Sequence, residues 1–103
     1  MTRYTLYIPV EAMTPAVGEL VDEIIPLFGG LTRTKGVGSW VREDGKILTE
    51  HVYIHTFLGN RPWHDVQYRV RQLEREITNM SGEECVLSTN EQANLSFTLR
   101  LPK

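Results

Sequence analysis

His51, Tyr53 and His55 recur at every second position of the run GVGSWVREDGKILTEHVYIHTF, residues 36–57, whose first half carries Gly36, Gly38 and Trp40. Imidazoles exchange protons near neutral pH, a tyrosine offers a hydroxyl on a flat ring, and an indole offers stacking area. Alternate positions of a strand share a face, so the three rings form one stripe. The same spacing argues against a metal centre. Four residues along a strand separate the Cα atoms of His51 and His55 by about 13 Å, too far for one ion. No metal and no cofactor are expected. A neutral His51 or His55 can serve as a general base beside Tyr7 or Tyr53, but the sequence supplies no third group to orient it. His64-Asp65 reads as decoration of a first helical turn.

The preceding stretch GGLTRTKGVG, residues 29–38, has the glycine density of a phosphate loop. It lacks the lysine after a closing glycine, and it leads into a strand rather than a helix. Arg33 and Lys35 remain as cations able to attract an anionic ligand; solvated charge at a loop-to-strand junction is the simpler reading of both.

Elements that hold these residues follow from hydrophobic periodicity. Arg3 to Pro9 alternates, with Tyr4, Leu6 and Ile8 on one side, which predicts a half-buried strand. Thr14-Pro15 supplies an N-cap and a proline at the first helical position, and Val17, Leu20, Val21, Ile24, Ile25 and Phe28 follow at helical spacing. Pro26 should kink or end that helix near its last turn, with Gly29-Gly30 as the exit. After the hairpin, Asn60 is the expected cap of a helix running to about Met80, with Trp63, Val66, Val70, Leu73, Ile77 and Met80 inward. Arg69, Arg71, Glu74, Arg75 and Glu76 read as its solvated face. Over residues 85–101 one bent strand and a hairpin fit equally well. The order predicts one α+β domain, a ferredoxin-like sandwich with two helices on one face of an antiparallel sheet.

Asp44-Gly45 signals a two-residue primed turn. Counted from it, Glu43 faces Lys46, Val41 meets Leu48, Val37 meets Val52, and Gly38, Gly36 and Thr34 fall opposite His51, Tyr53 and His55. The helices then cover the valine side, and Trp40, His51, Tyr53, His55 and Phe57 occupy an open face. Glu50 is the misfit, because this register sets it on the core side with Ser39, where it needs a partner such as Arg69 or a place at the sheet margin. A slip of one residue inverts every assignment. Glycines opposite rings make a shallow recess, which the rings themselves, a second subunit or a small ligand can fill.

Composition bounds the classes. The 103 residues are 41% hydrophobic and 23% charged, ordinary for a globular domain. Eleven basic against 13 acidic residues, a formal charge of −2, disfavour nucleic acid as a partner. Cys85 is the single cysteine, which excludes an internal disulfide and suits a reducing compartment. The opening MTRYTLYIPVEAM holds no long apolar run and no cleavage site, so a cytoplasmic protein without a membrane segment is expected.

Phe28-Gly29-Gly30-Leu31-Thr32, Gly36-Val37-Gly38-Ser39-Trp40, Asp44-Gly45-Lys46-Ile47, Glu50, the strand ending near His55 and the later Glu84-Cys85-Val86-Leu87 with Phe97 together resemble the small bacterial proteins classed as domain of unknown function 3574. The resemblance covers about residues 20–98 and implies a compact α+β fold with those elements in similar positions; it implies no activity. The short N-terminus and the tail LRLPK depart from the pattern.

Two function classes follow. The preferred one is a self-associating binding protein, dimer favoured, that takes a small polar or anionic ligand or a protein partner on its open sheet face, through Tyr7, Arg33, Lys35, Gly36, Gly38, Trp40, His51, Tyr53 and His55. The other is a cofactor-free enzyme with a histidine acid/base in a subunit-enclosed cavity. A phage-type inhibitor or ligand sponge is a weaker third.

Overall fold

The computed structural model describes residues 1–82, 87–92 and 97–100. Its elements are β1 (Thr2–Pro9), a short 3-10 turn (Val10–Ala12), α1 (Pro15–Phe28), β2 (Gly29–Val41), β3 (Ile47–Gly59), α2 (Trp63–Ser81), β4 (Leu87–Gln92) and β5 (Phe97–Arg100). The strands form one antiparallel sheet in the order β2-β3-β1-β4-β5. This is the expected ferredoxin-like arrangement with a fifth strand at one edge, and the C-terminal segment resolves into two strands rather than one. Cys85 and Leu95 lie outside the described residues.

Local chemistry sets the helix ends. Thr14 Oγ1 accepts the Val17 N–H at 3.3 Å, and Pro15 stands at the first helical position, as the sequence requires. Pro26 is tolerated inside the last turn of α1, and the helix ends where Gly29, at φ +124°, donates its N–H to the Ile25 carbonyl. Asn60 does not cap α2. The helix begins after Pro62, whose fixed φ of −60° leads the chain into the first turn without a side-chain cap.

The core lies between the helices and one face of the sheet. Tyr4, Leu6 and Ile8 have no exposed surface, and they meet Val17, Val21, Ile24 and Phe28 of α1 and Val66, Val70, Leu73 and Ile77 of α2. The Tyr4 ring stacks between Phe28 at 5.9 Å and Trp63 at 5.8 Å. Met80, expected inward, is 59% exposed.

Glu74 overturns its assignment to the solvated face. Only 2% of it is exposed; it accepts the Tyr4 hydroxyl at 2.6 Å and the Arg71 guanidinium at 2.9 and 3.1 Å. Arg71 in turn lies 5.1 Å from the Trp63 ring centre. A buried carboxylate is tolerable only with such partners, and here it ties α2 to the first strand. Arg69 pairs with Glu23 of α1 at 3.0 Å and so clips the two helices together.

Candidate functional site

The β2–β3 register differs by one residue from the count made on a primed turn. Val41 pairs with Ile47, Gly38 with Glu50, Val37 with His51, Gly36 with Val52, Lys35 with Tyr53 and Arg33 with His55. The reason lies in the loop. Gly45 donates its N–H to the Arg42 carbonyl at 2.9 Å and Arg42 donates to Lys46 at 2.7 Å, which encloses Glu43, Asp44 and Gly45 in a three-residue connection. Gly45, at φ +83°, supplies the left-handed residue such a loop needs after its turn. Asp44 Oδ1 accepts the Lys46 N–H at 3.0 Å and holds the bend.

This slip exchanges the faces. Tyr4 pairs with Phe57, Leu6 with His55 and Ile8 with Tyr53, so His51, Tyr53, His55 and Phe57 lie on the helix side, with Arg33, Lys35 and Val37. The expected open-face stripe is corrected accordingly. Tyr7, Gly36, Gly38 and Trp40 do lie on the face away from the helices, now with Glu50, Val52 and Ile54. The glycines make room there for aliphatic and indole groups: a methyl on Gly38 would meet the Trp40 ring at 2.5 Å, and one on Gly36 would meet Ile54 at 3.0 Å. Trp40 therefore folds over its own strand's glycine. Glu50 is no misfit in this register. It lies opposite Gly38 and away from Arg69, and burial, followed by the nearby charge of Glu11, raises its pKa above the ordinary carboxylate value.

On the helix side, four residues make a graded constellation beside α1. His55 has no exposed surface. Its Nδ1 lies 3.1 Å from the Leu6 carbonyl, which can only accept, so Nδ1 carries the proton and Nε2 presents a lone pair. Among the described residues Nε2 has no hydrogen-bond partner. Burial, with a smaller contribution from Arg33, lowers the imidazole pKa to about 4, against the partial opposition of the Leu6 hydrogen bond and Asp22. The ring is neutral at pH 7 and a weak base. Arg33 reaches Asp22 of α1 at 4.0 Å, both side chains well exposed. Tyr53 is half-buried, 6.3 Å from the His55 ring centre, and Lys35 Nζ sits 5.3 Å from its own centre.

The sequence-predicted site residues thus fall into two groups. Arg33, Lys35, Tyr53 and His55 come together under the edge of α1; His51 shares their face but is exposed on the projecting part of the hairpin. Tyr7, Gly36, Gly38 and Trp40 are on the other side of the sheet. The near group offers two exposed cations, one flat ring and one buried imidazole nitrogen; cations with an aromatic ring are the chemistry of a small-molecule site. Among the described residues no three histidine, cysteine or acidic side chains cluster as metal ligands. Asp22 and Glu11 escaped the sequence reading; both lie on exposed positions whose only signal is three-dimensional.

No family model matches the chain. In three dimensions it is similar to a phage SAM lyase in complex with S-methyl-5′-thioadenosine, with a TM-score of 0.66 at 12% identity over 97% of this chain and 88% of that one. A phage SAM lyase in the apo state superposes with a TM-score of 0.63, again at 12% identity, over 99% and 90% of the two chains. The chain has the fold of a phage SAM lyase. At that identity the likeness establishes architecture, and the ligand must be argued from this chain's own side chains. No helix among the described residues is long and apolar enough to cross a membrane.

Proposed function

We propose that this protein binds a small molecule that carries an aromatic base, of the class of S-adenosylmethionine, which adds a carboxylate, and of S-methyl-5′-thioadenosine, which keeps the base and lacks the carboxylate. The observation that carries the proposal is the row of Arg33, Lys35, Tyr53 and His55 on one face of β2 and β3. Arg33 and Lys35 supply charge for the anion and Tyr53 supplies a stacking surface, with the neutral His55 ring sealed behind them. The ligand class comes from the fold shared with the lyases, one of them bound to S-methyl-5′-thioadenosine. Self-association belongs to the same reading, since the site lies at a sheet edge with its rim charges well exposed.

A second reading, turnover rather than capture, is favoured by the same likeness. Release of S-methyl-5′-thioadenosine from S-adenosylmethionine breaks the bond between sulfur and the γ-carbon of the amino-acid chain; the substrate's own carboxylate oxygen bonds to that carbon, closing a five-membered lactone, and the carbon–sulfur electron pair passes to the sulfonium sulfur, which departs as a neutral thioether. Such a leaving group needs little acid catalysis, so orientation and a dry site count for more than a strong base. A histidine with a pKa of about 4 fits that demand and does not fit the general-base role considered for it from sequence.

Titration calorimetry with S-adenosylmethionine and S-methyl-5′-thioadenosine, together with chromatography of an S-adenosylmethionine incubation, tests both readings. Binding of S-adenosylmethionine should weaken about ten-fold for each of Arg33→Ala and Lys35→Ala, and that of S-methyl-5′-thioadenosine, which has no carboxylate, should change far less. Appearance of the thioether supports turnover; S-adenosylmethionine bound and recovered intact supports capture, the sponge-like behaviour. No heat with either compound at millimolar concentration removes the ligand class.

A further inference from the structure

The edge strand β2 carries features that the small-molecule reading leaves unused. β1 pairs with β3 only from Val52 onward, so Val37–Val41 and Ile47–His51 project beyond the sheet as a two-stranded arm. A ribbon of two strands is marginal in water without something to cover it. On its helix-side face Val37 is 65% exposed, Val41 75% and Ile47 70%. The outer edge of β2 meets no strand among the described residues, and its ladder to β3 runs over all 13 residues without a bulge. No proline interrupts it. Unblocked edges of this length are templates for another strand.

We propose that β2 pairs antiparallel with β2 of a second copy of this chain, about a two-fold axis at Ser39, to make one continuous sheet. A two-fold contact must be self-complementary, because whatever residue i meets, its equivalent meets in return. Few registers satisfy that here. With Ser39 on the axis, Val37 faces the partner's Val41, and Lys35 faces the partner's Glu43 at the hairpin tip, each contact made twice. The two exposed valines cover each other, and opposite charges close both ends. Gly38 comes beside the partner's Trp40 on the other face, where each indole already lies over its own strand's Gly38 and the two meet across the axis. Moving the axis two residues toward Val37 sets Lys35 against a serine and Val41 against Arg33. Centring it on Arg33 sets like charges face to face. Residues whose numbers sum to an even value share a face, so both helical layers stay on the same side of the joined sheet.

The interface is a property of the arm and does not depend on which ligand, if any, the neighbouring site holds. Sedimentation equilibrium of the full chain without added ligand, over a wide micromolar range, is the test. The native chain should reach twice its 11.8 kDa mass. Lys35→Glu and Glu43→Lys each replace two attractive contacts by two repulsive ones and should raise the dissociation constant roughly ten-fold. The double variant restores opposite charges in the reverse sense and should return to within about three-fold of native. Both positions are exposed, so the fold survives the changes. A native chain that stays monomeric, an assembly of three or more copies, unchanged single variants, or a double variant as weak as the singles would each overturn the proposal.

Discussion

A histidine kept from water couples folding to pH through one side chain. His55 takes up a proton at about pH 4 in the folded chain, whereas its ordinary value is 6.5. Between those values the unfolded chain binds the proton and the folded one does not, so acid favours unfolding. Stability from this group is fully present above pH 6.5, declines as the pH falls toward 4, and is then spent. The gap predicts a loss of about 2 kcal/mol between pH 7 and pH 5, read as a shift in the urea midpoint. His55→Gln keeps a polar group of similar reach and cannot titrate, so its midpoint should move far less over that interval; an equal slope in both proteins would exclude His55 as the cause. Glu74 shows the opposite way to hold a polar group inside. Its carboxylate meets Tyr4 and Arg71 directly, which was not legible beforehand because i,i+3 pairing with Arg71 is equally the mark of a solvated helix face.

Glycines that look alike along the chain differ sharply once the elements are assembled. A methyl on Gly59 would run into the Phe28 backbone carbonyl, and backbone cannot move aside as a side-chain tip can. Gly59 also pairs with both Thr2 and Gly29, which pins it where the end of α1 crosses the sheet. Gly36→Ala asks only for a small shift of the Ile54 tip. Thermal unfolding should therefore show Gly59→Ala to be the worse by about 2 kcal/mol or more, and comparable melting temperatures would contradict the close approach. The same element explains what could be read in advance. The strand, helix and hairpin order was legible because Tyr4, Leu6 and Ile8 and the α2 stripe carry unambiguous periods. The Asp44-Gly45 bend was legible too, but one dipeptide serves both two-residue and three-residue loops, and the difference of one residue decides which rings face the helices. β3 has apolar groups on both faces, Phe57 on one and Val52 on the other, so its own alternation could not choose. Pairing of Tyr4 with Phe57 does choose, and that is information between strands rather than within one. Glu50 was the available clue: a register that puts a carboxylate in the core is suspect.

Across the whole molecule, stability should fall in steps from the middle of the sheet to the tip of the arm. Val52 to Phe57 of β3 lie between β1 and β2, and Tyr4, Leu6 and Ile8 are sealed under both helices, so exchange of their amides requires global opening. Beyond Val52 the arm has, among the described residues, one ladder and exposed valines, so it can open alone. Hydrogen exchange of the dilute chain should show Val37–Val41 and Ile47–Thr49 losing protection at least a hundred-fold faster than Leu6 or Ile54. Concentrating the protein adds a test that no single molecule could pass. If a second copy occupies the β2 edge, outward amides of Val37–Val41 gain protection with concentration, while the core amides, already limited by global unfolding, change much less. The Lys35→Glu chain at the same concentration should remain fast in the arm. Arm amides as slow as the core at high dilution would mean that the hairpin is rigid by itself, and the physical reason for seeking a partner strand would be gone.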